Sequence, residues 1–116
     1  MNNFDNFFLP TTNLRESKDF YEKIGLNEKF NFSDRGMVAF SLKNEEPAII
    51  LKDVSKFPDQ KSTIWFVVDD TYKEYQRLKT EGITFLSEPF KIGTGVSVEF
   101  EDPSGNRLGI TDYSVD

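Results

Sequence analysis

The sequence predicts an α+β fold built from two tandem βαβββ modules, residues 1–56 and 57–116. Strand-like and helix-like segments occur in the order strand, helix, strand, strand, strand, and the same order then repeats. Helix caps and glycines recur in most folds. Here, however, four pairs of matching positions have the same spacing in the sequence, which favours a duplicated unit. Each pair is separated by 57 positions: Asn6 and Thr63, Asn13 and Asp70, Gly25 and Gly82, and Leu26 and Ile83.

The first repeat begins with a strand at residues 5–12, which ends in a Thr-Thr-Asn turn. Asn13 is suited to cap the helix that follows, because Glu16 stands at the third position after it. The helix is predicted to end at Gly25, since glycine readily adopts the backbone conformation of a helix C-terminus. Three strands follow, at residues 27–32, 36–42 and 47–53.

The second repeat begins with a strand at residues 62–70, and the acids at its end are suited to cap a helix over residues 71–82. The Ile-Gly-Thr-Gly stretch at 92–95 lacks the spacing of a nucleotide-binding loop, so we interpret it as a mobile loop. A polar segment with a central proline, residues 55–62, joins the two repeats. Three further strands are predicted, at residues 83–88, 96–102 and 106–113.

Length and composition exclude several classes of protein. A chain of 116 residues supports a single domain with one core. Its formal charge of −6 repels phosphate backbones, so we expect no nucleic-acid partner. The chain has no cysteine and no histidine, which excludes disulfides, thiolate metal sites and a Ser-His-Asp triad. Its apolar runs are too short for a membrane span and its start does not look like a signal peptide, so we expect a soluble, cytoplasmic protein.

Three stretches stand in a characteristic order on the duplicated pattern. They are Asn13-Leu14 with Phe20-Tyr21 and Gly25-Leu26, then Val68-Asp69-Asp70, then Phe100-Glu101-Asp102-Pro103-Ser104-Gly105-Asn106. In order and spacing these stretches resemble the vicinal oxygen chelate superfamily, which includes glyoxalases, bleomycin-resistance proteins and dioxygenases. The resemblance covers nearly the whole chain. It implies curled mixed sheets around a shared cavity, a small-molecule ligand and, because members often pair, a homodimer.

In enzymes of this superfamily, a divalent metal is held by one side chain from the first strand and one from the last strand of each module. The matching positions here are Asn6 and Thr63 on the first strands, and Gly109 and Ile50 on the last. None is the His or Glu that the resemblance calls for, and an amide, a hydroxyl, an alkyl group and no side chain cannot replace such donors. We therefore expect no metal and no other cofactor. Gly109 is expected to leave an open space where an enzyme would place a carboxylate.

If Asn6 and Thr63 face the cavity, the alternation of side chains along each strand predicts which other residues line it. An aromatic pair with a carboxylate nearby suits a flat or cationic ligand. The alternative is that Phe8 and Trp65 only fill space and that Glu99 is a solvated strand residue. The predicted pocket is lined by Phe8, Trp65, Ser97, Glu99, Arg107 and Thr111. The intervening residues are predicted to face the helices and form the core: Phe7, Leu9, Ile64, Phe66 and Val68.

The favoured hypothesis is a metal-free small-molecule binding protein of the bleomycin-resistance type, which would confer antibiotic resistance by sequestering a cationic or aromatic compound. The alternative is a lyase, isomerase or dioxygenase-like enzyme that uses Glu99 or Glu101 as a base, with an atypical metal or none. A third hypothesis is a subunit or regulator with a vestigial cavity. The Asp-Pro-Ser-Gly-Asn run at 102–106 is interpreted as a hairpin turn and not as part of a catalytic site.

Overall fold

The computed structural model describes residues 1–43 and 45–114, and this part of the chain contains two α-helices and eight β-strands. The helices are α1 (Leu14–Lys23) and α2 (Thr71–Thr80). The strands are β1 (Asn3–Thr11), β2 (Asn27–Phe32), β3 (Met37–Ser41), β4 (Ile49–Asp53), β5 (Thr63–Val67), β6 (Phe90–Ile92), β7 (Gly95–Glu101) and β8 (Arg107–Thr111). The predicted α+β class and the repeated strand–helix–three-strand order are confirmed. Among the described residues, no helix has the length and apolar character needed to cross a membrane.

The chain forms two compact units. The N-terminal unit is Asp5–Ser62, and its strands lie in the order β2-β3-β4-β1. The C-terminal unit is Thr63–Asp116 together with Met1–Phe4, and its strands lie in the order β5-β8-β7-β6. Within each unit the first strand of the repeat pairs in parallel with the last, and the other neighbours are antiparallel. The division into modules 1–56 and 57–116 stays a prediction.

Both helices begin at a side-chain cap and end before a glycine. The side chain of Asn13 accepts a hydrogen bond from the Glu16 backbone N–H at 3.0 Å, as predicted. Asp70, 57 positions later, caps α2 in the same way. Gly25 and Gly82 have φ angles of 104° and 90°, which an L-residue rarely adopts. The duplicated pattern thus fixes both ends of both helices.

Replacing Asn13 by alanine is expected to lower the free energy of unfolding by about 1 kcal/mol, because the Glu16 N–H loses its acceptor. Chemical denaturation followed by circular dichroism measures this change. Asn13→Asp is the matched control, since aspartate caps as well as asparagine and should leave stability nearly unchanged. Equal stability of the alanine variant and the unmodified protein would contradict the cap.

In each unit the helix covers one face of the sheet. In the N-terminal unit, the buried side chains of Val38, Phe40 and Leu51 pack with Leu14 and Tyr21 of α1. The C-terminal unit has a corresponding core against α2, formed by Val68, Tyr75, Val98, Phe100 and Ile110. The opposite face of each sheet carries the alternate residues, and we call it the helix-free face.

The prediction of a strand at residues 83–88 is wrong. In that segment only Phe85 pairs with a strand, through an isolated bridge to Phe100, and β6 begins later, at Phe90. Pro89, which has no backbone N–H to donate to a neighbouring strand, separates this segment from β6. The sequence pattern of apolar residues alone did not show where β6 begins.

Two smaller predictions also differ from the structure. The loop predicted at residues 92–95 is shorter than expected, because Ile92 ends β6 and Gly95 begins β7, which leaves a two-residue hairpin turn. Ile64 does not belong to the buried core, since it is 40% exposed. Phe66, two residues later, does pack against the cluster that contains Tyr75 of α2.

Candidate functional site

The helix-free face of the C-terminal unit gathers five of the six residues predicted to line a pocket. Strand register places Trp65 opposite Gly109, and Gly109 opposite Glu99. Paired residues on neighbouring strands point to the same side of a sheet, so these positions share one face. The five residues are Trp65, Ser97, Glu99, Arg107 and Thr111. Phe8, the sixth, lies on β1 in the N-terminal unit.

Trp65 lies flat over Gly109. A Cβ atom built on Gly109 would be 2.4 Å from Cζ3 and 2.5 Å from Cε3 of the indole, closer than any real carbon contact. The indole is almost fully buried, with 6% of the residue exposed. The space that the sequence was expected to leave open beside Gly109 is therefore filled by this side chain. Glycine is required here because only a residue without a side chain lets the ring rest on the strand.

Arg107 lies between two carboxylates on this face. One guanidinium nitrogen is 3.1 Å from Oε2 of Glu99, and another is 3.5 Å from Oε2 of Glu101. The Arg107 side chain is 17% exposed and that of Glu99 is 27% exposed, so water screens this pair only in part. The Nε atom of Arg107 is buried and has no hydrogen-bond partner within the described residues. The three formal charges sum to one negative charge.

Ser97 and Thr111 contact each other and not an open pocket. Their hydroxyl oxygens are 2.8 Å apart, and the two residues are 1% and 4% exposed. A buried hydroxyl needs a partner, and here each supplies the other's. Both residues were predicted to contact the ligand, whereas in the structure their side chains form a hydrogen bond with each other.

Three exposed apolar residues border this face, and sequence reasoning missed them. Leu86, Phe90 and Ile92 are 47%, 41% and 42% exposed. Phe90 pairs with Ser97, and the Leu86 backbone N–H donates to the carbonyl of Glu99 at 3.0 Å. Their placement depends on the position of β6, which the sequence pattern did not predict correctly. The available signal was the apolar residue Leu86 before Pro89 and the alternating apolar residues Phe90 and Ile92 after it.

The helix-free face of the N-terminal unit uses its aromatic residues differently. Phe8 pairs with Ile50, as Trp65 pairs with Gly109, so the register makes Ile50 the counterpart of Gly109. The Lys52 ammonium lies 4.4 Å from the centre of the Phe8 ring and 4.3 Å from that of Phe57. The cation–π contact that the sequence suggested for a ligand at Phe8 is thus made by a lysine of the chain itself.

The residues at the positions that the sequence resemblance aligns with metal ligands offer few donor atoms for a metal ion. In the N-terminal unit, Oδ1 of Asn6 accepts a hydrogen bond from the Ala48 N–H at 2.9 Å, and Ile50 offers only an alkyl group. In the C-terminal unit, Thr63 is 1% exposed and Gly109 is covered by the indole. Within residues 1–43 and 45–114, no three acidic side chains come together as ligands. Hard cations need several anionic oxygens, which these positions do not provide.

Asp112 is a buried carboxylate that the sequence analysis did not identify. It accepts hydrogen bonds from the Thr71 and Val96 backbone N–H groups at 2.8 and 2.9 Å, and from the Ser114 hydroxyl at 2.6 Å. Burial opposes its ionisation, but these hydrogen bonds outweigh that effect and lower its pKa to about 2. Asp112 therefore joins the start of α2 to the start of β7.

Asp102 closes the turn between β7 and β8. Its Oδ1 accepts hydrogen bonds from the backbone N–H groups of Ser104 and Asn106, both at 2.9 Å, and Oδ2 accepts one from the Asn106 side chain at 2.8 Å. Hydrogen bonds from Asn106 and Ser104 lower the pKa of Asp102. The interpretation of this stretch as a hairpin turn is confirmed.

A family model for the glyoxalase/bleomycin resistance protein/dioxygenase superfamily matches residues 3–110. The chain belongs to this superfamily. The resemblance inferred from the order of its sequence stretches is thereby confirmed.

Two Bacillus subtilis (strain 168) proteins are similar to this superfamily member in sequence. YurT is 39% identical over 67 residues, which cover 58% of this chain and 53% of YurT. YetH is 39% identical over 46 residues, which cover 40% of this chain and 38% of YetH. The matched segments thus span about half of one relative and less of the other.

Solved structures of the superfamily share the fold. A member from Vibrio splendidus 12B01 aligns with a TM-score of 0.70 at 20% identity, covering 91% of this chain and 95% of its own. Methylmalonyl-CoA epimerase from Mycobacterium tuberculosis aligns with a TM-score of 0.71 at 16% identity, covering 97% and 89%. At these identities the likeness establishes the fold and not the reaction.

Proposed function

We propose that this superfamily member is a metal-free protein that binds a small molecule, a cationic or aromatic compound, and sequesters it without changing it. The observation that carries the proposal is the indole of Trp65 resting on Gly109, the position that the resemblance aligns with a last-strand metal ligand. A metal ion in the C-terminal unit would need this ring to leave and a donor side chain to replace it. Neither Gly109 nor the buried Thr63 supplies that donor.

The sign of the charge supports a cationic ligand. The chain carries a formal charge of −6, and the Glu99, Glu101 and Arg107 group adds one negative charge to the helix-free face of the C-terminal unit. A partly desolvated carboxylate attracts a cation more strongly than one in bulk water. Drug resistance, a cytoplasmic location and a homodimer are parts of the same proposal, and sedimentation of the purified chain measures the last of these.

Metal analysis tests the proposal directly. We expect protein purified after incubation with Zn²⁺, Mn²⁺, Ni²⁺ or Fe²⁺ to retain well under one ion per chain after gel filtration. Native mass spectrometry measures this ratio and reports any co-purified organic ligand. One tightly held ion per chain, with turnover of a diol, hemithioacetal or epoxide, would overturn the proposal.

A carboxylate-dependent enzyme is the second candidate, and one observation favours it. Glu99 binds Arg107 through Oε2, while Oε1 accepts no hydrogen bond within the described residues. Such an oxygen, on a side chain that is 27% exposed, could accept a proton from a substrate. Replacement of Glu99 by glutamine would then abolish a measurable turnover, whereas a binding protein shows no turnover before or after the change.

A further inference from the structure

We infer that the C-terminal unit binds an organic cation with an apolar body at the edge of its helix-free face. The site consists of Leu86, Phe90 and Glu99, and we call it the edge patch. This inference rests on the proposed binding function and names the ligand class and the residues. Strand register, exposure and charge place all three residues at this edge.

Strand geometry places both apolar side chains along the edge of β7 that faces away from β8, next to the carboxylate. Leu86 lies opposite Glu99, because its N–H donates to the Glu99 carbonyl, and Phe90 lies opposite Ser97, two residues along β7. Neighbouring strands are about 4.8 Å apart and alternate residues about 7 Å apart. Both apolar groups are therefore within reach of a ligand whose charged end contacts Glu99.

The exposure of these residues leaves surface for a ligand to cover. Leu86 is 47% exposed and Phe90 41% exposed, although large apolar side chains gain stability when they are covered. Phe85, which precedes Leu86, instead packs on the core side, with its ring 5.2 Å from that of Phe100. The chain thus packs the partly buried Phe85 against its core and leaves the next apolar side chains exposed beside Glu99.

The carboxylate determines the sign of the ligand's charge. Oε2 of Glu99 is engaged by Arg107, and Oε1 has no partner within the described residues. The Glu99 side chain is 27% exposed, so a cation reaches it from solvent while neighbouring side chains reduce screening. An ammonium group that donates to Oε1 keeps the Arg107 contact intact. An anionic ligand would meet Glu99 and Glu101 together and is disfavoured.

A matched series of small probes tests the edge patch. Phenethylammonium combines a ring with a cation; 2-phenylethanol, 3-phenylpropanoate and ethylammonium each change one of these properties. By isothermal titration calorimetry we expect phenethylammonium to bind at least about tenfold tighter than each of the other three, since a hydrogen bond to a charged group is worth roughly that factor. Its affinity is expected to fall as salt rises. Equal affinity for phenethylammonium and 3-phenylpropanoate would overturn the inference.

Variants locate the binding on the protein. Glu99→Gln and Phe90→Ser are each expected to weaken phenethylammonium binding at least about fivefold to tenfold. Glu81→Gln, on an exposed residue after α2, and Ile64→Ser, on a residue as exposed as Phe90, are the matched controls and should bind as the unmodified chain does. Phe90 is on the surface, so its variant should fold even if loss of the Arg107 ion pair destabilises Glu99→Gln.

The outcomes separate this inference from the proposed function. If a neutral or anionic aromatic compound binds and changes Trp65 fluorescence, while Glu99→Gln and Phe90→Ser bind it normally, the edge patch is wrong and metal-free binding stands. If the chain holds one metal ion per molecule, the proposed function is wrong, whatever the probe series shows. Loss of phenethylammonium binding in both variants, with the controls unchanged, supports the edge patch.

Discussion

Replacing Gly109 by alanine is expected to lower the free energy of unfolding by about 2–3 kcal/mol. The added Cβ would lie 2.4–2.8 Å from three atoms of the Trp65 indole, and that ring is buried and cannot move aside without disturbing its neighbours. Urea denaturation followed by the fluorescence of Trp65, the only tryptophan in the sequence, measures the change. Native-state fluorescence should also change, because the ring must leave the strand.

Two controls show whether the indole is the cause. Gly93→Ala adds the same methyl group where no atom lies within 4 Å, so its stability should stay within about 0.5 kcal/mol of the unmodified chain. In a Trp65→Leu background the Gly109→Ala change should cost much less, since the smaller side chain leaves room for Cβ. Additive effects of the two substitutions would contradict a direct contact between residues 65 and 109.

Replacing Asp112 by asparagine is expected to lower the free energy of unfolding by about 2–3 kcal/mol at neutral pH. A pKa lowered from 3.8 to about 2 corresponds to about 2 kcal/mol of stabilisation of the ionised form. Both carboxylate oxygens accept hydrogen bonds from backbone N–H groups, of Thr71 and of Val96, so the asparagine NH₂ would face a donor at one of them. Thermal and urea denaturation measure the loss.

The same carboxylate predicts a dependence on pH. Because the pKa of Asp112 is lowered on folding, its contribution is complete above about pH 4 and is lost as pH falls towards 2. The difference in stability between the unmodified protein and Asp112→Asn should therefore shrink across that window. Asp59→Asn, on an exposed aspartate, is the control and should follow the unmodified protein at every pH. A constant difference from pH 7 to pH 2 would contradict the role given to Asp112.

Local sequence signals were sufficient to predict where both helices begin and end. Asn13 and Asp70 cap, Gly25 and Gly82 follow the ends, and the spacing of 57 positions holds for each pair. Caps and glycine termini act through backbone groups within a few residues, so their signature is contained in a short stretch of sequence. The same argument holds for the Asp102 turn, whose hydrogen bonds stay within four residues.

Residue placement on the helix-free face was only partly predictable. Alternation correctly indicates which positions share a face once the strands are known, as for Trp65, Gly109 and Glu99. It could not find Phe90, because β6 starts after a proline and is only three residues long. It could not find Asp112 either, since the groups that bind this carboxylate come from residues 16 and 41 positions away.

The sequence by itself determined the duplicated α+β fold, the superfamily and the absence of His and Glu at the four positions that the resemblance aligns with metal ligands. These follow from residue identity, spacing and short-range hydrogen bonding, which a linear chain displays directly. Only the tertiary structure decided what occupies the place beside Gly109. A glycine in the sequence does not indicate whether a ligand or a neighbouring side chain fills the space beside it. Strand pairing brings Trp65, 44 positions earlier, onto this glycine, and close packing leaves no gap between them.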